Sequence, residues 1–174
     1  MAIQHYGNRV ILAYMTDVST DPAVMTPLTA RVGFLISQLG FYASERFAQR
    51  LTPLGLAPRH FGLLTHLSLH DGQAQQRLAD AMGIHRNAMV GIIDELEERG
   101  LVRRQRHPDD RRAHAVHLTD HAHDLLTEAQ RVADEHDNDL IAALDEQQRE
   151  QLIELLQTLA MHTDLPAGVH PTLQ

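Results

Sequence analysis

Apolar residues recur along most of this chain at intervals of three and four. The breaks between the recurrent stretches predict six helices and one β-hairpin. Leu28, Val32, Leu35, Leu39 and Tyr42 begin the first stretch, which continues through Phe47 to about Arg50. Thr26-Pro27 offers a hydroxyl N-cap and a proline at the first helical position, and Pro53 with Gly55 ends the helix. Pro58 opens a second helix reaching about His70, with Phe61, Leu64 and Leu67 as its buried stripe, and Asp71-Gly72 turns the chain.

A third helix is expected from about Gln75 to Met82, with Leu78, Ala79 and Met82 inward. Gly83 forms a tight corner to a fourth helix, from about Arg86 to Arg99. There Met89, Ile92, Ile93 and Leu96 fall at i, i+3, i+4 and i+7. They point inward and leave His85, Arg86, Asn87, Ala88, Val90 and Gly91 outside or at the edge. After Gly100 the pattern shifts to a period of two. LVRRQRH alternates roughly and HAVHL better, with Val116 and Leu118 on one face, Ala115 and His117 on the other, and Pro108, Asp109 and Asp110 as the turn.

Thr119 caps a fifth helix, with Asp120 and Asp124 suited to its first turn and a stripe of Leu125, Leu126, Ala129, Val132, Ala133, Leu140, Ile141 and Leu144. Asp145 restarts a sixth, with Gln148 at capping-box spacing and Leu152, Ile153, Leu155, Leu156 and Leu159 following. Residues 1–25 lack sustained periodicity and read as a tail, either loose or ordered against a partner subunit.

Two short helices at a tight corner, then a hairpin, make a winged helix-turn-helix. The fold class is therefore mostly α with a small β-hairpin wing. Residues 26–56 are read as a dimerisation helix and linker, 57–119 as the winged domain, 120–163 as dimerisation helices and 164–174 as a C-terminal tail. The outer helices carry more apolar surface than a small winged core can cover, which points to a layer shared by two copies.

Charge sharpens this picture. The net charge of −8 argues at first against nucleic acid, but its distribution argues for it. Carboxylates crowd Asp94–Glu98 and Asp120–Glu154, whereas six of the fifteen positive residues lie between Arg99 and Arg112. Every one of them is arginine, whose planar fork suits phosphate and guanine edges. With no cysteine, disulfides and cysteine-bound metal are excluded, and the expected location is the cytoplasm, on the nucleoid. No apolar run approaches the ~18–20 residues of a membrane span, so no membrane partner is expected. Phosphate loop, nucleophile elbow and metalloprotease His-Glu pattern are all missing, so no enzyme is expected.

The DNA-contacting residues read from these features are Gln75 and Arg77 opening helix three, and His85, Arg86, Asn87, Ala88 and Val90 on helix four. On the wing they are Arg103, Arg104, Arg106, Asp110, Arg111 and Arg112. Arg86 and Asn87 can pair with guanine and adenine edges, and Ala88 and Val90 can touch thymine methyls. Arg103, Arg104 and Arg106 are read as phosphate ligands, unless at least one of them pairs with Glu97 or Glu98. Arg111 or Arg112 at the hairpin tip fits a narrow minor groove. His66 and His70, four apart, are a possible metal pair, but no cysteine or ligand-spaced glutamate completes it, so neither metal nor cofactor is expected. His60 shares the arc of Leu64 and Leu67; it is either a satisfied core histidine or a residue lining a pocket.

From about Leu28 to Leu159 the chain resembles the MarR family of transcription regulators. GLAPRHFGLL, RLADAMGIHRNAMVGIIDELEERG and LVRRQRHPDDRRAHAVHLT carry the resemblance, the last through its Asp-x-Arg signature at Asp110 and Arg112. It implies a homodimer on double-stranded DNA at a pseudo-palindromic operator, usually as a repressor. It also implies a small anionic or phenolic effector that often loosens that grip, at residues the sequence leaves unknown. A wing arginine would enter the minor groove while Asp110 orients its neighbours. The chain departs from the pattern at His85, Ala88 and Val90, where Ser or Thr is common, at Gly91, where a polar or basic residue is frequent, and at Ala122, commonly glycine. A dimeric architectural protein with little sequence preference is the alternative.

Overall fold

The computed structural model describes residues 25–106 and 114–163. Its elements run α1 (Val32–Leu51), α2 (Pro58–Leu69), β1 (Gln73–Ala74), α3 (Gln75–Ala81), α4 (Arg86–Glu98), β2 (Val102–Arg106), β3 (His114–Leu118), α5 (Asp120–Leu140) and α6 (Glu146–His162). The chain divides into two compact units between Ser44 and Glu45, within α1.

In the first unit the long helix begins later than its proline suggests. Pro27 is extended, Leu28–Ala30 form a single 3₁₀ turn, and Arg31 is extended again at φ −93°, ψ 116°. The Arg31 Nε donates to the Thr26 carbonyl at 3.3 Å, which holds this step, so the α-helix starts at Val32 rather than at Pro27. Val32, Phe34, Leu35, Ile36, Leu39, Phe41 and Tyr42 are all exposed in the single chain.

The second unit holds the core. Leu63, Leu64 and Leu67 of α2, Leu78 of α3, Met89, Ile93 and Leu96 of α4, and Val102 and Val116 of the sheet are shut off from solvent, closed from one side by Ala122, Leu126 and Ala129 of α5. Phe61, expected in the α2 stripe, is only half-buried. It meets Phe47 edge-on at 5.5 Å, and Leu63 takes the inner position. The sheet has three strands in the order β1-β3-β2, not the two of a bare hairpin. β1 is two residues long and pairs Gln73 with Val116 and Ala74 with Ala115, so β3 becomes the central strand and Ala115 is buried as well. Asp71 locks this edge: its carboxylate accepts from the His117 ring at 2.8 Å and from the Leu118 N–H at 2.9 Å. Burial pushes the Asp71 carboxyl up, but these donors outweigh it and hold it below the usual carboxylate range. Gly72 sits at φ 75°, and a Cβ there would lie 2.9 Å from the His117 ring that Asp71 holds, so any other residue would be strained there.

Both later caps form as their spacing predicts. Thr119 Oγ1 accepts from the Ala122 N–H at 3.2 Å at the start of α5. At the start of α6 the Asp145 side chain accepts from the Gln148 N–H at 2.9 Å and the Gln148 side chain accepts from the Asp145 N–H at 3.0 Å. α6 leaves Ile153, Leu155, Leu156, Leu159 and Met161 exposed.

Candidate nucleic-acid interface

The corner between α3 and α4 depends on Gly83, at φ 61°. That left-handed residue lets the Ile84 N–H reach back to the Ala79 carbonyl at 2.9 Å and puts the Ile84 side chain into the core. α4 then starts on His85, whose Nδ1 accepts from the Asn87 N–H at 3.3 Å. The imidazole thus does the capping work usually given to a hydroxyl or carboxylate. With Met89, Ile92, Ile93 and Leu96 buried, α4 turns Arg86, Asn87, Ala88 and Gly91 to solvent, while Val90 is half-buried. Arg77 of α3 is exposed and Gln75 half-buried.

The second half of α4 is acidic, a charge that opposes a polyanion, but Asp94, Glu95 and Glu97 are paired with basic side chains of the same chain. Glu95 accepts from the His60 Nε2 at 2.8 Å and from Arg59 at 3.0 Å. These donors hold the Glu95 carboxyl below its ordinary range. His60 is buried, and its Nδ1 accepts from the Ala57 N–H at 3.2 Å. The pocket-facing alternative is set aside: His60 is a satisfied core histidine that ties the start of α2 to α4. Asp94 and Glu97 both hold Arg104.

The basic residues of the wing therefore separate. Arg103 and Arg106 on β2 are exposed. Arg104 is the one that turns to a carboxylate, as expected of one member of the trio. Arg99 leaves the cluster too, donating to the Gly55 and Leu54 carbonyls at 2.8 and 3.3 Å. Asp110, Arg111, Arg112 and the Pro108–Asp109 turn lie outside the described residues. The His66 and His70 rings are 5.1 Å apart, and His66 meets the Gln73 side chain. Among the described residues no group of three or more His, Asp or Glu could hold a metal.

One buried group went unread in the sequence. His136 of α5 is 6% exposed and stacks on Phe47 at 5.3 Å. The signal was available: Ala122, Leu126, Ala129, Ala133 and His136 share one seven-residue stripe. Burial pushes both His60 and His136 below their ordinary value of 6.5; for His60 this outweighs the bond to Glu95. An unfolded chain takes up these protons first, so the stability they contribute is complete above about pH 6.5 and is lost as pH falls below it. Thermal melts should show a midpoint that drops between pH 7.5 and 5.0, and His136→Phe, which keeps the stack, should flatten the drop. An unchanged acid slope in that variant would remove His136 from the account.

A family model for MarR matches residues 56–114, from just before α2 to the first residue of β3. A Thauera aromatica protein named for a regulatory role at the hcr operon is 32% identical over 146 residues, covering 79% of this chain and 88% of that one. A MarR-family transcriptional regulator of Rhodococcus sp. RHA1 superposes with a TM-score of 0.66 at 30% identity, over 78% of this chain and 96% of its own. The transcriptional repressor CouR, bound to a 23-mer DNA duplex, gives 0.70 at 32% identity, over 80% and 99%. CouR from Rhodococcus jostii RHA1 with p-coumaroyl-CoA gives 0.65 at 30% identity, over 78% and 96%. A buried-faced helix beside an arginine-bearing wing, matched by sequence and by fold, settles the class: the chain belongs to the MarR family of DNA-binding transcriptional regulators.

Proposed function

We propose that the protein acts as a homodimeric repressor on a pseudo-palindromic operator. α4 enters the major groove, the wing of residues 101–118 enters the flanking minor groove, and a small effector releases the complex. The observation that carries this reading lies in the second compact unit. There α4 exposes Arg86, Asn87 and Ala88 over a fully buried face, and the adjoining β2 exposes Arg103 and Arg106. Arg86 and Asn87 read guanine and adenine edges, Ala88 and Val90 meet thymine methyls, and His85 flanks them. Gln75 and Arg77 steady the backbone beside α3. Arg103 and Arg106 neutralise phosphates, and Arg111 or Arg112, with Asp110 beside them, serve the minor groove.

The second copy is the proposed cover for the exposed apolar residues of α1 and, separately, of α6. A twofold pair sets two α4 helices about 34 Å apart, one turn of DNA. For the effector, CouR's complex with p-coumaroyl-CoA supports a phenolic acid or its acyl thioester as the first compounds to try.

A competition assay tests this reading. A palindrome from the protein's own promoter should bind at least ~10³-fold tighter than random duplex. Its log–log salt slope should be about −5 to −9, for some six to ten phosphate contacts. Equal affinity for both duplexes would favour the architectural alternative, to which the donor-free Ala88 and Gly91 lend their support.

A further inference from the structure

The three wing-strand arginines look alike in sequence but stand in different places. Glu97 on α4 takes the Arg104 backbone N–H at 2.8 Å through one carboxylate oxygen and the guanidinium through the other. Asp94, one helical turn back, takes the remaining arm of the fork. The Arg104 side chain is 20% exposed, whereas Arg103 and Arg106 on either side are open. The N–H that Glu97 accepts belongs to the sheet's outer strand, so the same carboxylate also satisfies an edge group that β3 does not reach.

We propose that Arg104, Glu97 and Asp94 are positioning residues: they fix the angle between α4 and β2, so that the base edges under the helix and the minor-groove steps under the wing are recognised as one rigid unit. Two carboxylates surround one guanidinium. Drawing Arg104 off to a phosphate would leave both of them bare beside a polyanion, a cost that keeps the arginine where it is. Glu97 and Asp94 each take a separate arm of the planar fork, a geometry that a lysine's single compact ammonium does not reproduce, although a lysine can still meet a phosphate. This inference rests on the proposed docking of helix and wing.

The test uses the full-length dimer and a selected operator, with variants Glu97→Gln, Asp94→Asn, Arg104→Lys and Arg104→Gln, and Glu98→Gln as a control. Affinities are measured across salt for four duplexes: the operator, a change under the helix, a change under the wing, and both. In the wild type the two base changes should be non-additive. In Glu97→Gln and Asp94→Asn they should become additive, with operator affinity about three- to a hundredfold lower and the salt slope unchanged. Arg104→Lys should fall as far as Arg104→Gln. Asp94 is half open to solvent, so Asp94→Asn keeps the test informative if Glu97→Gln melts early. The proposal is overturned if Arg104→Lys keeps wild-type affinity while Arg104→Gln loses about one salt-slope unit per subunit, the mark of a phosphate ligand. It is equally overturned if the base changes are additive in the wild type. A wild type with no preference for the operator over random duplex defeats the docking itself, a separate and recognisable failure.

Discussion

A glutamate at Leu35, or separately at Leu156, is expected to yield monomers that bind the operator about 10²- to 10⁴-fold more weakly. Leu35 is 37% exposed and Leu156 47% in the single chain, each within a helix whose apolar neighbours are also uncovered. Side chains of this kind at helical spacing are held out of water only by something docking on them, and the proposed occupant is a second copy. A carboxylate inserted there must be desolvated without a partner on association, which costs several kcal/mol and outweighs the apolar area gained. In the monomer neither substitution fills space or breaks a hydrogen bond, so the melting of the winged unit should hardly change. The DNA penalty follows from effective concentration, since one half-site no longer delivers the second helix to its groove. Light scattering coupled to size-exclusion chromatography, with a binding titration on the same samples, checks both halves. Glutamate variants that stay dimeric would show that these residues face something else.

Arg86→Ala and Asn87→Ala are expected to lower operator affinity by about 1–3 kcal/mol per half-site, roughly ten- to a hundredfold, and to relax sequence preference at the base pairs they meet. Both side chains are exposed on α4, and neither belongs to the buried face, so folding should be unaffected. The contrast with the wing is diagnostic. Arg103→Ala and Arg106→Ala should weaken all duplexes alike and take about one unit each from the salt slope per subunit. Systematic base substitution in the operator, measured for each variant, separates the two behaviours. If Arg86→Ala and Asn87→Ala lose affinity uniformly across sequences, α4 does not read bases through them.

Much of this arrangement was visible in the pattern of residues. The buried face of α4 followed from Met89, Ile92, Ile93 and Leu96, because a 3.6-residue period fixes which side of a helix is apolar. The capping residues Thr119 and Asp145 announced themselves for the same local reason: the hydrogen bonds they make reach only three positions ahead. Features that depend on distant segments were hidden. Gln73-Ala74 is too short to show alternation and becomes a strand only because β3 lies beside it. Arg31 interrupts the first helix through backbone geometry that no side-chain period records. Among Arg103, Arg104 and Arg106 the sequence foresaw at least one internal pair but not which, since the choice depends on the face β2 turns toward Asp94 and Glu97. His136 was passed over because a polar residue on an apolar stripe is not expected to be buried, yet here Phe47 provides a stacking surface for it.

In the proposed complex two α4 helices, one from each copy, meet one face of the duplex a single turn apart. Hydroxyl-radical footprinting of the full-length protein on DNA selected from a random library addresses this arrangement directly. An enriched inverted repeat is expected, with half-site centres about 10 base pairs apart and protection in two twofold-related blocks on the same face, extended outward by the wings. A single protected half-site, or uniform protection along DNA with no enriched sequence, would contradict it.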